Sequence, residues 1–124
     1  MDPIIISATE DTPGIRLDAG NDIFELSGRS LPEDVTKFYE PVLTWLDEYI
    51  KSPNKQTIFV FKLSYFNTAS SKIILDIMVK LESILNDGKE ISVKWYYLSD
   101  DEDMMEAGEE YADIVDIPIE LIEY

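Results

Sequence analysis

The run Gln56-Thr57-Ile58-Phe59-Val60-Phe61-Lys62-Leu63-Ser64-Tyr65-Phe66 constrains this chain more than any other stretch. It is rich in β-branched and aromatic residues and free of Gly and Pro, so it reads as a strand. Apolar residues occupy both faces for most of its length, the pattern of a central strand covered on two sides. Directly after it the apolar spacing changes from alternation to steps of three and four. Ile74, Leu75, Ile77, Met78, Leu81, Ile84 and Leu85 form the buried stripe of a helix from about Thr68 to Asn86, stopped by Asp87-Gly88. A strand from Ile91 to Tyr97 follows. Strand, helix and strand in this order imply a right-handed crossover and parallel pairing.

The flanks complete the pattern. Pro3 to Ser7 is a short apolar run, and Thr12-Pro13-Gly14 has turn chemistry. Ile15–Asp18 and Ile23–Gly28 alternate apolar and polar residues around the turn Ala19-Gly20-Asn21-Asp22, which predicts an antiparallel hairpin. Ser30-Leu31-Pro32-Glu33 reads as a helix entry, with Ser30 or a neighbour as cap. Val35, Phe38, Tyr39, Val42, Trp45, Leu46, Tyr49 and Ile50 then recur at helical steps, and Pro41 should kink or split that helix near Glu40. A third, acidic helix is expected from Asp101 to Ile114, with Met104, Met105, Tyr111 and Ala112 facing inward. Gly108 inside it costs about 1 kcal/mol relative to Ala and should make it the weakest helix. Ile117 to Ile122 closes the chain as an edge strand, where Pro118 is tolerated. The expected architecture is a single α/β domain over residues 1–124. Its mixed β-sheet combines an N-terminal antiparallel hairpin with strand–helix–strand units and about three helices. Whether the helices cover one face of the sheet or both stays open.

Composition removes most chemistry. The 124 residues contain no Cys and no His, which excludes disulfides, thiolate nucleophiles, imidazole bases and the metal sites built on either. Ten Lys and Arg against 26 Asp and Glu give a net charge of −16, which disfavours nucleic acid and anionic membrane as partners. With 45% apolar residues and 11% aromatic residues the chain can bury a core, unlike an acidic disordered segment. No apolar run is long enough for a membrane span and no signal-peptide pattern opens the chain, so a cytoplasmic protein is expected. The acids are unevenly placed. Residues 1–62 carry a net −5, residues 63–99 are neutral, and residues 100–124 carry 11 acids and no base. Asp100-Asp101-Glu102-Asp103 lacks the alternate ligand spacing and central Gly of a calcium loop, and acids in a first helical turn are favoured by the helix dipole anyway. No metal or cofactor is expected.

Two helix starts remain as candidate sites. At Asn67-Thr68-Ala69-Ser70-Ser71-Lys72, three hydroxyls and a Lys crowd the first turn of a helix that leaves the central strand. Sites in sheets with parallel strands form at such carboxyl ends, and a helix start offers free N–H groups to an anion. By local pattern alone the first reading is an ordinary N-cap at Asn67 or Thr68, with the serines filling a solvated first turn. The functional alternative is a phosphorylatable hydroxyl, Thr68 foremost, with Ser70 and Ser71 as secondary candidates. The second start, Gly28-Arg29-Ser30-Leu31-Pro32-Glu33-Asp34, contains one of the two arginines of the chain. Arg29, Ser30 and Glu33, with Asn67 and Lys72, are the candidate partner- or phosphate-binding residues.

Three stretches in this order resemble the SiaC family of bacterial regulatory phosphoproteins, which are similar in fold to STAS-domain anti-sigma-factor antagonists. They are Thr12–Asp18 with Gly20; Ser27–Asp34 with Phe38–Leu43, Trp45 and Leu46; and Tyr65–Lys72 with Leu75-Asp76-Ile77. The likeness runs from about Thr9 to Leu121. It implies a STAS-like fold and a non-enzymatic switch. A histidine-kinase-like ATPase would phosphorylate Thr68, a PP2C-like phosphatase would reverse it, and the unphosphorylated form would bind and activate a diguanylate cyclase. Ala69 stands where the family commonly has Ser, and Asp34 where Asn is usual. A competing expectation is an acidic charge mimic that binds a basic protein surface through residues 100–124. A carboxylate enzyme is the weakest, because no two acids are set opposite each other by the pattern.

Overall fold

Six strands form one sheet in chain order, and three helices connect the last four of them. The computed structural model describes residues 1–124. The elements are β1 (Ile4–Ile6), β2 (Gly14–Asp18), β3 (Ile23–Ser30), α1 (Val35–Tyr49), β4 (Gln56–Phe66), α2 (Thr68–Glu82), β5 (Glu90–Tyr97), α3 (Glu102–Ile114) and β6 (Ile119–Glu123). β1, β2 and β3 pair antiparallel, while β3 to β6 run parallel. The predicted hairpin pairs Asp18 with Ile23 and Gly14 with Ser27. Asp22 closes its turn in the left-handed region at φ 55°.

Each right-handed crossover from β3 onward advances the sheet by one strand in the same direction, which puts all three helices on one face. Burial along the strands agrees. Ile15 and Leu17, Phe24 and Leu26, Thr57, Phe59, Phe61 and Leu63, and Ile91, Val93 and Trp95 are buried. Between them, Arg16 and Lys62 are exposed, and Ile58, Val60, Ser92 and Lys94 are half-buried. The two-sided apolarity of β4 therefore does not signal two helical layers. Ile58 and Val60 are shielded only by neighbours on an open sheet face.

Four local expectations are corrected. Pro41 does not split its helix, since α1 runs from Val35 through Tyr49. Pro41 and Lys37 are exposed, so the carbonyl that loses a donor can turn to solvent. The entry cap of α1 is Asp34, which accepts from the Lys37 N–H at 3.1 Å, rather than Ser30. β3 continues through Ser30 because its pairing with β4 persists past an irregularity at Gly28 and Arg29. α2 ends at Glu82, and residues Ser83–Asp87 tighten into a 3-10 turn closed by Gly88 at φ 72°. On α3 the inner side is Met104, Gly108 and Tyr111, while Ala112 is exposed.

Gly108 has a steric reason. A methyl group there would lie 2.5 Å from Leu121 Cδ2 and 2.6 Å from Trp95 Cδ1. The acidic helix therefore rests its backbone directly on the Trp95 ring. The Trp95 indole N–H donates to the Met104 carbonyl at 2.9 Å, which seats the same helix at a second point.

Candidate functional site

The start of α2 is built by the end of β3. Past the last paired residues, Ser30 and Phe66, the Asn67 N–H donates to the Ser30 carbonyl at 3.2 Å. Asn67 is in extended backbone, and its side chain accepts from the Ser70 N–H at 2.8 Å. The Ser71 N–H reaches the Asn67 carbonyl at 3.0 Å as the first helical bond. Asn67 is thus the N-cap, Thr68 the first helical residue, and Ala69 the second.

The hydroxyls of this turn have different fates. Ser70 is fully buried, and its hydroxyl donates to the Ser30 carbonyl at 2.9 Å. It can then only accept from the Ser30 hydroxyl, 2.8 Å away. With that proton spent, the Tyr39 phenol must be the donor in the 2.6 Å contact with Ser30 Oγ. A directed chain, Tyr39 to Ser30 to Ser70 to the Ser30 carbonyl, locks α1, β3 and α2 together without solvent. Burial raises the Tyr39 phenol above its ordinary value, partly offset by the Ser30 contact. Ser71 donates to the Thr68 carbonyl at 2.6 Å and is half-buried. The Tyr111 phenol of α3 donates to the Ser71 carbonyl at 2.8 Å. Burial, with help from Glu110, raises its pKa as well.

Thr68 is the exception. It is exposed, and its hydroxyl makes no bond within the molecule. Lys72 follows one turn later on the same face, exposed and in no ion pair. Of the other candidates, Ser30 and Ser70 lie inside the molecule, where neither hydroxyl is presented to a partner. Arg29 and Glu33 are exposed, and neither forms a hydrogen bond with Thr68. Arg29 Nε donates to the Glu10 carbonyl at 3.1 Å, and its guanidinium lies 5.5 Å from the Tyr65 ring centroid. Tyr39 and Tyr111 were visible in the sequence only as members of apolar stripes. Nothing local told that their hydroxyls would secure the first turn of α2.

The Tyr111 contact also changes the electrostatics. Residues 63–99 are neutral by count, yet Tyr111 ties the start of α2 to α3, a helix that carries six acids. Asp101 is consumed as the α3 cap, accepting from the Met104 N–H at 3.0 Å. No group of three or more acidic side chains converges as metal ligands would. No helix is long and apolar enough to cross a membrane.

Known proteins resemble the chain over its whole length. An uncharacterized protein of Pseudomonas aeruginosa (strain UCBPP-PA14) is 27% identical over 118 residues, covering 95% of this chain and 94% of its own. The crystal structure of apo-SiaC from P. aeruginosa superposes with a TM-score of 0.85 at 27% identity, covering 98% of this chain and 99% of that one. A second structure, of the diguanylate cyclase SiaD in complex with its activator SiaC from the same organism, matches with a TM-score of 0.88 at 27% identity over the same shares. The family model for SiaC family regulatory phosphoproteins matches residues 6–124. With six mixed strands, three helices and a match of that extent, the chain belongs to the SiaC family of regulatory phosphoproteins.

Proposed function

We propose that this chain is a non-enzymatic signalling switch whose surface at the start of α2 is set by reversible phosphorylation of Thr68. The carrying observation is the contrast within one turn: Thr68 offers a free, exposed hydroxyl, whereas Ser70 and Ser71 have theirs engaged. The unphosphorylated form binds and activates a diguanylate cyclase. Support for that partner comes from the P. aeruginosa relative, solved in complex with the cyclase that it activates. A Ser/Thr kinase of the histidine-kinase-like ATPase type and a PP2C-like phosphatase set the phosphorylation state. The family's description as regulatory phosphoproteins supports the modification itself. Such a switch acts in the cytoplasm, where the nucleotide substrates are.

Chemically, a phosphate on Thr68 adds nearly two negative charges at a helix start, where the dipole and free N–H groups tolerate it within the chain. A partner that packs on the unmodified turn meets that charge as desolvation and repulsion. The test is incubation with the cognate kinase and ATP, followed by mass spectrometry and titration against the cyclase. One phosphate on Thr68 is expected, with a loss of affinity of about tenfold or more. Thr68→Ala should block the modification and retain binding. A phosphate that maps to Ser71, or a phosphorylated chain that binds the cyclase as tightly as the unmodified one, overturns the proposal.

A further inference from the structure

The sheet face turned away from the helices is unevenly charged. Arg16, Glu25, Val60, Lys94 and Glu120 form one cross-strand row, in which Arg16 stands opposite Glu25 and Lys94 opposite Glu120. That row is balanced. The next row towards the carboxyl ends of the parallel strands, with Ser27 opposite Lys62 and Tyr96 opposite Ile122, carries no acid. There Lys62, paired in register with Ser27, holds its ammonium 4.7 Å from the Tyr124 ring centroid and 5.6 Å from that of Tyr96. The two rings meet edge to face at 5.9 Å. Tyr96 pairs with Ile122 on β6, and the Tyr124 N–H still donates to the Tyr97 carbonyl at 3.0 Å, so both rings stand on ordered backbone.

One step further along β3 and β4, Arg29 lies over Tyr65, which is 49% exposed. Arg29 is exposed beside the inward-facing Ser30. Neither Arg29 nor Lys62 takes part in an ion pair. In a chain of net charge −16, this end of the open face therefore presents two cations outside any ion pair, each over an exposed or half-exposed tyrosine ring.

We propose that this cation–tyrosine patch of Arg29, Lys62, Tyr65, Tyr96 and Tyr124 docks an acidic segment of a protein partner, one with carboxylates spaced by apolar or aromatic residues. The ring quadrupoles hold the cations in place, and the tyrosines supply amphipathic contact area with few rotatable bonds. Two cations can satisfy two or three carboxylates. They cannot neutralise a phosphate backbone against the field of the remaining acids, which disfavours single-stranded nucleic acid even though aromatic sheet faces can stack bases.

The test uses the isotope-labelled full chain and three probes: a short peptide of alternating Glu and Phe, its Gln–Phe counterpart, and an oligodeoxythymidine. Amide resonances are followed by NMR at low and high salt. The Glu–Phe peptide should perturb residues around Lys62, Tyr96 and Tyr124 and bind about tenfold more tightly than the Gln–Phe peptide at low salt. Lys62→Glu, at an exposed site, should abolish that difference while the spectrum stays dispersed. Thr68→Glu should leave it unchanged, which separates this patch from the proposed phosphorylation switch. Absence of binding, perturbations confined to the helical face, indifference to Lys62→Glu, or tighter binding of the oligonucleotide each overturns the proposal.

Discussion

Replacing Gly108 by Ala is the sharpest test of how α3 is held. By helix propensity alone the change should stabilise the chain by about 1 kcal/mol, since Gly is the costliest ordinary residue inside a helix. The contacts at Gly108 reverse the sign. An added methyl would lie 2.5 Å from Leu121 Cδ2, 2.6 Å from Trp95 Cδ1 and 2.9 Å from Trp95 Nε1, where carbon contacts settle near ~3.5–4.0 Å. Leu121 lies on the edge strand β6 and can rotate. Trp95 cannot give way so easily. It is 1% exposed, packs on Phe61 at 5.4 Å and Tyr111 at 5.4 Å, and its indole N–H is committed to the Met104 carbonyl. The helix must lift by about 1 Å or the indole bond must break, and overpacking at contacts this short costs about 2–3 kcal/mol, the upper part of the usual range. Net of the propensity gain, Gly108→Ala should destabilise by about 1–2 kcal/mol, a fall in Tm of roughly 4–8 °C for a domain of this size. Urea and thermal melts followed by tryptophan fluorescence measure it. Because Tyr111 lies on the same helix and holds the Ser71 carbonyl, amide exchange in the first turn of α2 should quicken as well. An unchanged or raised Tm would show that α3 does not rest on Trp95, and the account of Gly108 would fail.

Ser70→Ala removes the last hydroxyl of the buried chain and takes from the Ser30 hydroxyl its acceptor. A loss of about 1–2 kcal/mol in urea unfolding is expected, and a neutral result would mean that the chain contributes nothing to stability. Tyr39, Tyr49 and Tyr111 all have phenol values raised above 10.0 by burial. The unfolded chain loses those protons first, so it binds fewer protons than the native state above about pH 10, and stability must fall as pH rises from there. Tyr111→Phe should flatten part of that alkaline limb in a series of melts against pH; an unchanged slope would contradict the assignment.

The alternation of Ile15, Leu17, Phe24 and Leu26 and the stripes of α1 and α2 were legible because one residue in two, or in three and four, meets the core. Sheet coverage was not. Ile58 and Val60 look like core in sequence, and only the same-direction crossovers show that their face is bare. Gly108 looked like a weakness for the same reason, because the indole that requires it is 13 positions away on β5. The candidate site divides likewise. The Asn67 cap is a local interaction and was readable, as was the crowding of hydroxyls after it. That Ser70 is withdrawn into the core is decided by Ser30, 40 residues before it, and the turn is further held by Tyr111, 40 residues after Ser71, through the Ser71 carbonyl. Short-range pattern cannot carry such pairings.

These same long-range bonds decide how a phosphate on Thr68 would act. Its turn is held from three sides: by the Asn67 cap, by the Ser70 chain to Ser30 and Tyr39, and by Tyr111 on the Ser71 carbonyl. None of these groups is Thr68 itself, so phosphorylation removes no native bond, and the helix dipole favours the added charge. A large rearrangement has no driving contact to lose. The effect must therefore be at the surface, where the phosphate adds to the charge of the acidic helix α3 that Tyr111 ties to this turn. Charge and steric bulk make different predictions there. If charge dominates, the affinity gap between phosphorylated and unmodified chain for the proposed cyclase partner should shrink several-fold between low and high salt, because exposed charges are screened within about 10 Å at 0.1 M. The melting curve should move little. A gap that stays constant with salt would assign the switch to bulk, and a phosphorylated chain with widespread changes in amide exchange would contradict the rigid turn altogether.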